Sequence, residues 1–360
     1  MTRHGKGGKF WHKLQKKGVH MRTSKPFVYV SVTLAVAFSL MFIQTETSLA
    51  KSMTLKVSHQ FAKGDVRDQM GRVFGEMVTK RTNGEIQFRH YPAKSLYKPR
   101  EQWDAMRKGA LDMSCFPLDY ASGKVPQLSI TLMPASVANI QQGLTWRNKP
   151  IGKKIDALME ANGVRNLVWA WFDGGMGSKI KQIKVPADVE GTKLRAAGKK
   201  FEFMMREAGA SITSMPSSET YHALSTGVLD TMLTSSASFV SYRLYEVLKY
   251  INAPRDYSIW YMAENLVISE KTWQRLTPDQ QKVFMEVAEW MHKNWIYPNF
   301  KTLVDNLIAA YTKAGVDIHY MTEAEFNAWM DFAKKTAWKN FAETVDGGQE
   351  LLDLAADAMK

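Results

Sequence analysis

Cysteine and paired histidines are scarce in this sequence. Its 360 residues contain one cysteine, Cys115, which excludes an internal disulfide and a cysteine metal site. Cys115 lies in an apolar run and is interpreted as a small buried strand residue rather than a catalytic thiol. The five histidines after residue 50 are too far apart to indicate paired metal ligands. We therefore expect neither a metal nor a cofactor.

Familiar catalytic motifs are also missing. The sequence has no Gly-x-Ser-x-Gly elbow, no His-Glu-x-x-His pair, no phosphate loop ending in Gly-Lys-Ser/Thr and no dinucleotide-binding glycine fingerprint. Glu219 and His222 are three residues apart on one predicted helix. That spacing could orient a proton shuttle, although it is more typical of a solvated or capping pair. These absences favour a non-catalytic protein without excluding an enzyme.

Positive charge is in excess, but most of the excess lies at the N-terminus. The formal net charge is +13, and residues 1–50 hold eight Lys/Arg against one acid. From residue 51 onward 40 basic and 34 acidic residues remain, a net charge of +6. This mild excess suits small anions as much as polyanions. Because no basic and aromatic module is recognisable, we expect no nucleic-acid partner.

The first 50 residues have the order of an export signal. A basic stretch ends before Phe27–Ile43, an apolar run, and small residues at Ser48 and Ala50 mark a cleavage site after Ala50. Met21 is an alternative start, because it would shorten an unusually long basic region. A retained membrane anchor is the other interpretation, since the apolar run is at the lower limit for spanning a bilayer. Cleavage and a periplasmic location are favoured.

Strand and helix patterns alternate over the first part of the chain after the signal. Alternating apolar residues predict strands, and apolar residues at helical spacing predict helices. This order predicts parallel strands joined by crossover helices. The predicted elements are a strand at Leu55 and Val57, a helix over Asp65–Arg81, a strand over Ile86–Arg89, a helix over Arg100–Lys108 and a strand around Cys115.

The centre of the chain repeats this alternation, which predicts a second small α/β lobe. The predicted strands are Asn166–Trp171, Lys193–Ala197, Ile212–Met215 and Leu229–Leu233, and the predicted helices are Lys199–Ala208 and Ser218–Thr226. Helical spacing then runs from Phe284 to Tyr311 and is interrupted by Pro298, which should kink the helix. A helix of this length would bridge two lobes. Another amphipathic helix is predicted over Glu323–Ala342.

Two central features could contact an anion. Gly174–Ser178 is rich in glycine and follows a predicted strand, so it is either a loop whose amides cradle an anion or a tight turn. Arg195 lies in a predicted strand that has small residues on its C-terminal side. Ligands of open α/β sheets gather at the carboxyl ends of strands, and a guanidinium matches a carboxylate with two parallel hydrogen bonds. An arginine alone is more often a structural ion-pair residue.

Two central blocks resemble the solute-binding proteins of TRAP (tripartite ATP-independent periplasmic) transporters. The first is Ile183-Lys184-Val185-Pro186-Ala187-Asp188-Val189-Glu190-Gly191-Thr192-Lys193-Leu194-Arg195, and the second runs from Met215-Pro216-Ser217 to Gly227-Val228-Leu229-Asp230. Shorter agreements extend the resemblance over nearly all of the chain after the signal: Leu96-Tyr97, Glu101 to Leu111, Ile268-Ser269, Trp273 and Leu276 to Gln281.

This resemblance implies an α/β, two-lobed fold like that of type II periplasmic binding proteins, with a cleft between the lobes and a long kinked helix bridging them. We expect lobe I to comprise residues 53–173 and about 260–297, lobe II residues 174–259 and about 298–345, and a C-terminal helix residues 346–360. The resemblance also implies that Arg195 clamps a ligand carboxylate, that the transporter's membrane subunits are the partners, and that no catalysis is needed.

The sequence departs from the family at two positions. Leu233 stands where many members have a ligand-binding Asn, so Ser235 or Ser236 is expected to contact the ligand instead. A second basic residue, which members often carry before the Ile183-Lys184 block, is not evident, because Gly174–Ser178 occupies that region. The remaining candidates for ligand contact are Tyr120, Trp171, Phe172, Gly175, Ser178, Ser217, Glu219 and Trp260, although each aromatic residue is also a candidate for the core.

The sequence thus predicts an exported protein that binds a small organic acid, most simply a carboxylate. A periplasmic enzyme acting on an anionic substrate through Glu219, His222 or a cleft serine is the alternative. A sensor that reports ligand occupancy to a receptor is a third interpretation.

Overall fold

Strands and helices alternate along residues 52–359, the part of the chain that the computed structural model describes. The predicted export signal lies outside these residues. The described chain forms eleven strands. They are β1 Met53–Ser58, β2 Ile86–Tyr91, β3 Met113–Pro117, β4 Val164–Val168, β5 Trp171–Ser178, β6 Lys193–Arg195, β7 Ser211–Ile212, β8 Thr231–Ser235, β9 Tyr250–Ala253, β10 Trp260–Ser269 and β11 Asp317–Tyr320.

Helices cover the sheet and form most of the last hundred residues. Within residues 52–359, none combines the length and hydrophobicity needed to cross a bilayer. The helices are α1 Val66–Arg81, α2 Gln102–Lys108, α3 Ile140–Thr145, α4 Pro150–Ala161, α5 Lys199–Glu207, α6 Thr220–Ser225, α7 Ser236–Ser241, α8 Glu270–Trp273, α9 Pro278–Met291, α10 Tyr297–Phe300, α11 Leu303–Lys313, α12 Glu323–Ala333, α13 Lys339–Thr344 and α14 Gly348–Met359.

Strand β10 connects the two halves of the sheet, whose order is β2-β1-β3-β10-β5-β8-β6-β7. In one half, β1 pairs in parallel with β2 and β3, as the sequence predicts. In the other, β6 pairs in parallel with β7 and β8. The change of partner occurs within β10, where Ala263 pairs with Trp171 of β5 and the next residue, Glu264, pairs with Pro117 of β3. A single strand therefore crosses from one half to the other.

The structure corrects several predictions at the centre of the chain. The single strand predicted over Asn166–Trp171 is the end of β4 and the start of β5, with a break between them. The loop predicted over Gly174–Ser178 is wrong, because these residues form β5 and pair with β8. The strand predicted over Ile212–Met215 is shorter and lies at Ser211–Ile212. The strand predicted over Leu229–Leu233 begins two residues later, at Thr231.

Glycine occurs in β5 because neighbouring groups approach its backbone closely. A Cβ atom on Gly174 would collide with the carbonyl oxygen of Thr234 and the ring of Trp260. A Cβ atom on Gly175 would collide with the carbonyl oxygen of Asn252. A glycine run can therefore mark crowded strand crossings as well as loops.

The long helical segment near the C-terminus is interrupted, as its proline predicts. Helix α9 begins with Thr277, whose hydroxyl accepts a hydrogen bond from the backbone N–H of Gln280. A five-residue π-helical turn, His292–Ile296, follows α9 directly. Pro298 lies in the next turn, where its ring and missing N–H are incompatible with regular helical bonding. The chain then continues into α11.

Two clusters of buried apolar side chains stabilise the fold. The larger one includes residues from β1, β3, β10 and α9. The smaller one lies beneath α11 and comprises Ala223, Leu224, Leu229, Met232, Phe239, Leu244, Leu248, Ile251, Ala253, Leu307, Tyr311 and Val316. The larger cluster also contains Leu194 of β6 and Leu233 of β8, so it extends over both halves of the sheet, and the smaller one supports only the half that contains β8 and β9. The lobe boundaries expected from the sequence stay a prediction.

Two glycines of α1 provide a test of packing against the sheet. A Cβ atom on Gly75 would lie 2.9 Å from the ring of Phe88, whereas one on Gly71 would have no contact closer than 3.4 Å. Gly75→Ala should lower the free energy of unfolding by about 1–3 kcal/mol through overpacking. Gly71→Ala should be neutral or stabilising by up to about 1 kcal/mol, because alanine favours helices. Urea unfolding of both variants checks this; equal effects would contradict it.

Candidate functional site

Arg195 is buried at the centre of the chain and contacts only neutral acceptors. Its side chain is 0% exposed. Nε donates to the carbonyl oxygen of Met215 at 2.9 Å, and Nη1 donates to that of Leu233 at 2.6 Å. Nη2 donates to the hydroxyl of Tyr120 at 3.3 Å. Within residues 52–359 no acid lies at ion-pair distance from Arg195, although its charge acts over a longer range on the buried carboxyl groups of Asp119 and Glu264.

The strand arrangement explains why Arg195 lies at this position. Arg195 is the last residue of β6, which pairs in parallel with β8. Parallel strands end at the same edge of a sheet, and ligands of α/β proteins bind outside that edge. The chain continues through Ala196, Ala197 and Gly198 into α5, so no bulky side chain follows directly after the guanidinium.

Tyr120 links Arg195 to two other segments. Besides Arg195, its hydroxyl oxygen accepts hydrogen bonds from Nε2 of Gln60 at 3.3 Å and from the backbone N–H of Ser217 at 3.1 Å. Ser217 is buried. The structure therefore brings together Tyr120, Arg195 and Ser217, three residues that the sequence predicts as ligand contacts.

A second buried guanidinium, Arg67, was not identified from the sequence. Its Nε and Nη2 atoms each donate to Asp65 at 2.7 Å, and Nη1 donates to Glu264 at 2.7 Å. Nη1 also lies 3.1 Å from the hydroxyls of both Ser235 and Ser238. Arg67 is fully buried, so this network fixes α1, β10 and the start of α7 relative to one another.

The surroundings of Arg67 balance its charge. Burial opposes ionisation of Asp65, but the charge and hydrogen bonds of Arg67 outweigh it and lower the pKa of Asp65. Burial dominates at Glu264 and raises its pKa, while Arg67 and Arg195 oppose that rise. The rings of Phe61 and Phe172 lie 3.6 and 5.2 Å from the guanidinium carbon. Unlike Arg195, Arg67 has acids of its own.

Three other predicted contacts lie around Arg67. Ser235 ends β8 and bonds to Arg67, and Phe172 packs against both Arg67 and Phe300, with ring centroids 4.4 Å apart in the latter pair. Ser236 is buried and lines a cavity of about 450 Å³ that Asp65 also borders. Ser235 and Phe172 thus contact Arg67 rather than Arg195, and Ser236 borders the neighbouring cavity.

The two predicted tryptophans pack in the core. Trp171 makes an edge-to-face contact with Trp146, with ring centroids 4.8 Å apart. Trp260 lies against the backbone of Gly174 in the adjacent strand. Both side chains are at most 1% exposed. Their packing explains the burial without a ligand.

Three further predicted residues are not brought to Arg195. Gly175 lies in β5, and Ser178 ends that strand, where its hydroxyl accepts hydrogen bonds from the backbone N–H groups of Ile180 and Lys181. Glu219 is exposed on a short turn, and so is His222 on α6. The pair proposed for proton transfer thus faces solvent. Residues 52–359 also contain no cluster of acids, histidines and cysteine that could hold a metal ion.

Comparison with known proteins gives one consistent result. The model of the bacterial extracellular solute-binding protein family 7, DctP, matches residues 57–344. A solute-binding protein of Albidiferax ferrireducens is 38% identical over 327 residues, 89% of this chain and 94% of that protein. The C4-dicarboxylate-binding periplasmic protein DctP of Rhodobacter capsulatus is 26% identical over 303 residues, 82% and 89% of the two chains.

A solved structure supports the same relationship. The crystal structure of a TRAP periplasmic solute-binding protein from Rhodoferax ferrireducens, with bound malonate, matches with a TM-score of 0.82 and 37% identity. The match covers 85% of this chain and 98% of that one. The expected two-lobed α/β fold is thereby confirmed.

The different surroundings of the two arginines predict different stabilities for their variants. Arg67→Met should lower the free energy of unfolding by about 3–5 kcal/mol, because two buried acids lose their shared cation. Arg195→Met leaves no described acid without its partner and should cost about 1–3 kcal/mol, the penalty for unsatisfied buried acceptors. Urea unfolding without organic acids checks this. Adding Glu264→Gln to Arg67→Met should restore part of the lost free energy of unfolding. A larger loss in Arg195→Met than in Arg67→Met would contradict the difference in charge pairing between the two arginines.

Proposed function

The chain belongs to the bacterial extracellular solute-binding protein family 7, and from this we propose that it captures a small organic acid between two α/β lobes and delivers it to a TRAP transporter. The observation that carries the proposal is the buried Arg195, which donates only to neutral acceptors and forms no ion pair within residues 52–359. A cation held away from water without an acid is unfavourable, and a ligand carboxylate would offset that cost. A carboxylate also fits the planar guanidinium with two hydrogen bonds.

Arg67 is excluded as the main ligand clamp by its own partners. Asp65 and Glu264 accept hydrogen bonds from Nε, Nη1 and Nη2 of Arg67. The hydroxyls of Ser235 and Ser238 also lie against Nη1. A ligand anion there would meet two carboxyl groups at short distance. We therefore assign recognition of the ligand carboxylate to Arg195 and Tyr120, and cohesion of the site to Arg67.

Capture would proceed by closure of the lobes predicted from the sequence, residues 53–173 with about 260–297 and residues 174–259 with about 298–345. Several hydrogen bonds cross this division. Tyr120 receives the bond from Arg195, Arg67 reaches Ser235, and Tyr242 donates to the carbonyl oxygen of Gln60 at 3.3 Å. These bonds form only when the lobes are together, so they would hold the closed conformation over its ligand.

The ligand would place one carboxylate at Arg195 and its remaining atoms among polar groups. The hydroxyl of Tyr120 lies beside the guanidinium, and the backbone N–H of Ser217 lies next to that hydroxyl. The malonate in the Rhodoferax ferrireducens protein is a short acid of this kind. Binding without turnover fits the exposed positions of Glu219 and His222, which lack a place in the cleft for proton transfer.

The membrane subunits of the transporter would be the partners that receive the ligand. Residues 1–50 would direct export and would be removed after Ala50. The family is extracellular, and the order of basic, apolar and small residues in the leader supports cleavage.

A thermal-shift screen tests ligand capture. Malonate, succinate, D-erythronate, D-galacturonate and pyroglutamate span short dicarboxylates, hydroxy acids and a cyclic acid. A bound acid at 100 times its Kd should stabilise the protein by about 2.7 kcal/mol. Arg195→Met should weaken the binding of that acid by about 2–5 kcal/mol, which is about 30-fold or more in Kd. Glu219→Gln, a matched exposed position, should bind as the parent does. Equal Kd values for Arg195→Met and the parent would remove the clamp assignment.

Mass spectrometry of the exported protein tests the signal. After expression of the full chain in a Gram-negative bacterium, the periplasmic fraction should contain a protein that begins at Lys51. Ala50→Leu should block cleavage, because the peptidase requires a small residue there. Recovery of the parent only from the membrane, with its leader intact, would instead establish an anchor.

A further inference from the structure

A buried carboxyl group, that of Asp119, lies beside the ligand site without a partner. Asp119 belongs to a short helical turn, Leu118–Ala121, and precedes Tyr120. It is 3% exposed, and its Oδ1 atom has no hydrogen-bond partner among residues 52–359. The side chain lines a cavity of about 240 Å³ that Tyr120 and Ser214 also border. An uncompensated carboxylate in such a place is unfavourable, whereas a carboxylic acid is tolerated.

The carboxyl group packs against a segment from the other proposed lobe. A Cβ atom on Gly198, which precedes α5, would lie 2.8 Å from Oδ1 of Asp119 and closer still to Oδ2. Only glycine leaves room for this contact. Asp119 belongs to the proposed lobe I and Gly198 to lobe II, so opening of the cleft would separate them and expose the carboxyl group to water.

Several charged groups face Asp119, and none pairs with it. Arg100 donates from Nη2 to the hydroxyl of Ser214 at 2.8 Å, and Lys124 pairs with Asp104. Burial is the main cause that raises the pKa of Asp119, to about 8, and the charge of Glu202 adds to it. The charges of Arg100, Lys199 and Arg195 oppose the rise but do not cancel it.

We propose that Asp119 is a proton-binding site of the cleft, which takes up one proton when the lobes close over an organic acid. The proposal rests on the proposed function, because it needs capture by closure. The anionic ligand and the proton would enter together, so capture would add little net charge to the buried site.

The direction of the pH dependence follows from the two states. In an open cleft, a solvated aspartate titrates near its ordinary pKa of about 3.9. In the closed cleft, it titrates near 8. Between these values the closed state holds the additional proton, so lower pH favours closure. The Kd of a fully ionised acid should rise up to about tenfold per pH unit toward pH 8 and level off above it.

Isothermal titration calorimetry measures the proton directly. The probe is the acid of the five-compound panel with the largest thermal shift, titrated at pH 7 in phosphate, HEPES and Tris, which differ in ionisation enthalpy. The parent should take up close to one proton per bound acid. Asp119→Asn keeps the size and neutrality of the protonated side chain, so it should bind the acid with proton uptake near zero and a Kd that changes little with pH.

Two further variants keep the test decisive. Asp173 is another buried carboxyl group, and burial raises its pKa to about 7; Asp173→Asn should leave the proton uptake in place. Glu202→Gln removes the charge that adds to the effect of burial on the pKa of Asp119, so the pH at which affinity levels off should fall. This second variant remains informative if Asp119→Asn does not fold.

The outcomes separate the two proposals. Absence of any binding by the panel would count against the proposed function itself. Binding without proton uptake, or uptake that persists in Asp119→Asn, would overturn the assignment of Asp119 and leave ligand capture intact. Loss of uptake in Asp173→Asn alone would assign the proton to Asp173 in β5 instead.

Discussion

The buried Arg67 network is the constraint on which the rest of the site depends. One guanidinium joins Asp65 before α1, Glu264 in β10 and the serines at the start of α7. Glu264 lies where the pairing of β10 changes from β5, in one half of the sheet, to β3, in the other. One buried charge therefore joins α1, β10 and the start of α7, and its near-complete hydrogen bonding lets it remain buried.

The two buried arginines, Arg67 and Arg195, differ in how their charges are paired. Both are fully buried, but the first is neutralised by acids and the second meets only carbonyl oxygens and a hydroxyl. Acids of the chain that pair with a cation neutralise it and weaken its attraction for an anionic ligand. Neutral acceptors orient the cation and leave its charge available for a ligand. A binding protein needs a paired and an unpaired cation close together, because the closed cleft must be stable and must still bind an anion.

Local patterns predicted most of the elements, and long-range pairing explains what they missed. The boundaries of α1 and the parallel order of β1 to β3 follow from residues close in sequence. Arg67 was missed because its partner Glu264 lies 197 residues away, and no periodicity links them. The glycines of β5 were misread because crowding by Thr234 and Asn252 is a tertiary property. Arg195 was singled out by strand position and family resemblance together, and its surroundings required coordinates.

The π-helical turn at His292–Ile296 lies in an interrupted helical segment that contributes to two apolar clusters. Phe284 and Met291 of α9 belong to the larger cluster, and Leu307 and Tyr311 of α11 belong to the smaller one. A wide turn accommodates one extra residue and so rotates everything after it by about 100° relative to a regular helix. The number of residues in this turn therefore sets the rotational orientation of the residues that follow it. Losing one residue would make the helix regular and turn Leu307 and Tyr311 away from their cluster. Relatives should vary in sequence across this stretch far more freely than in length.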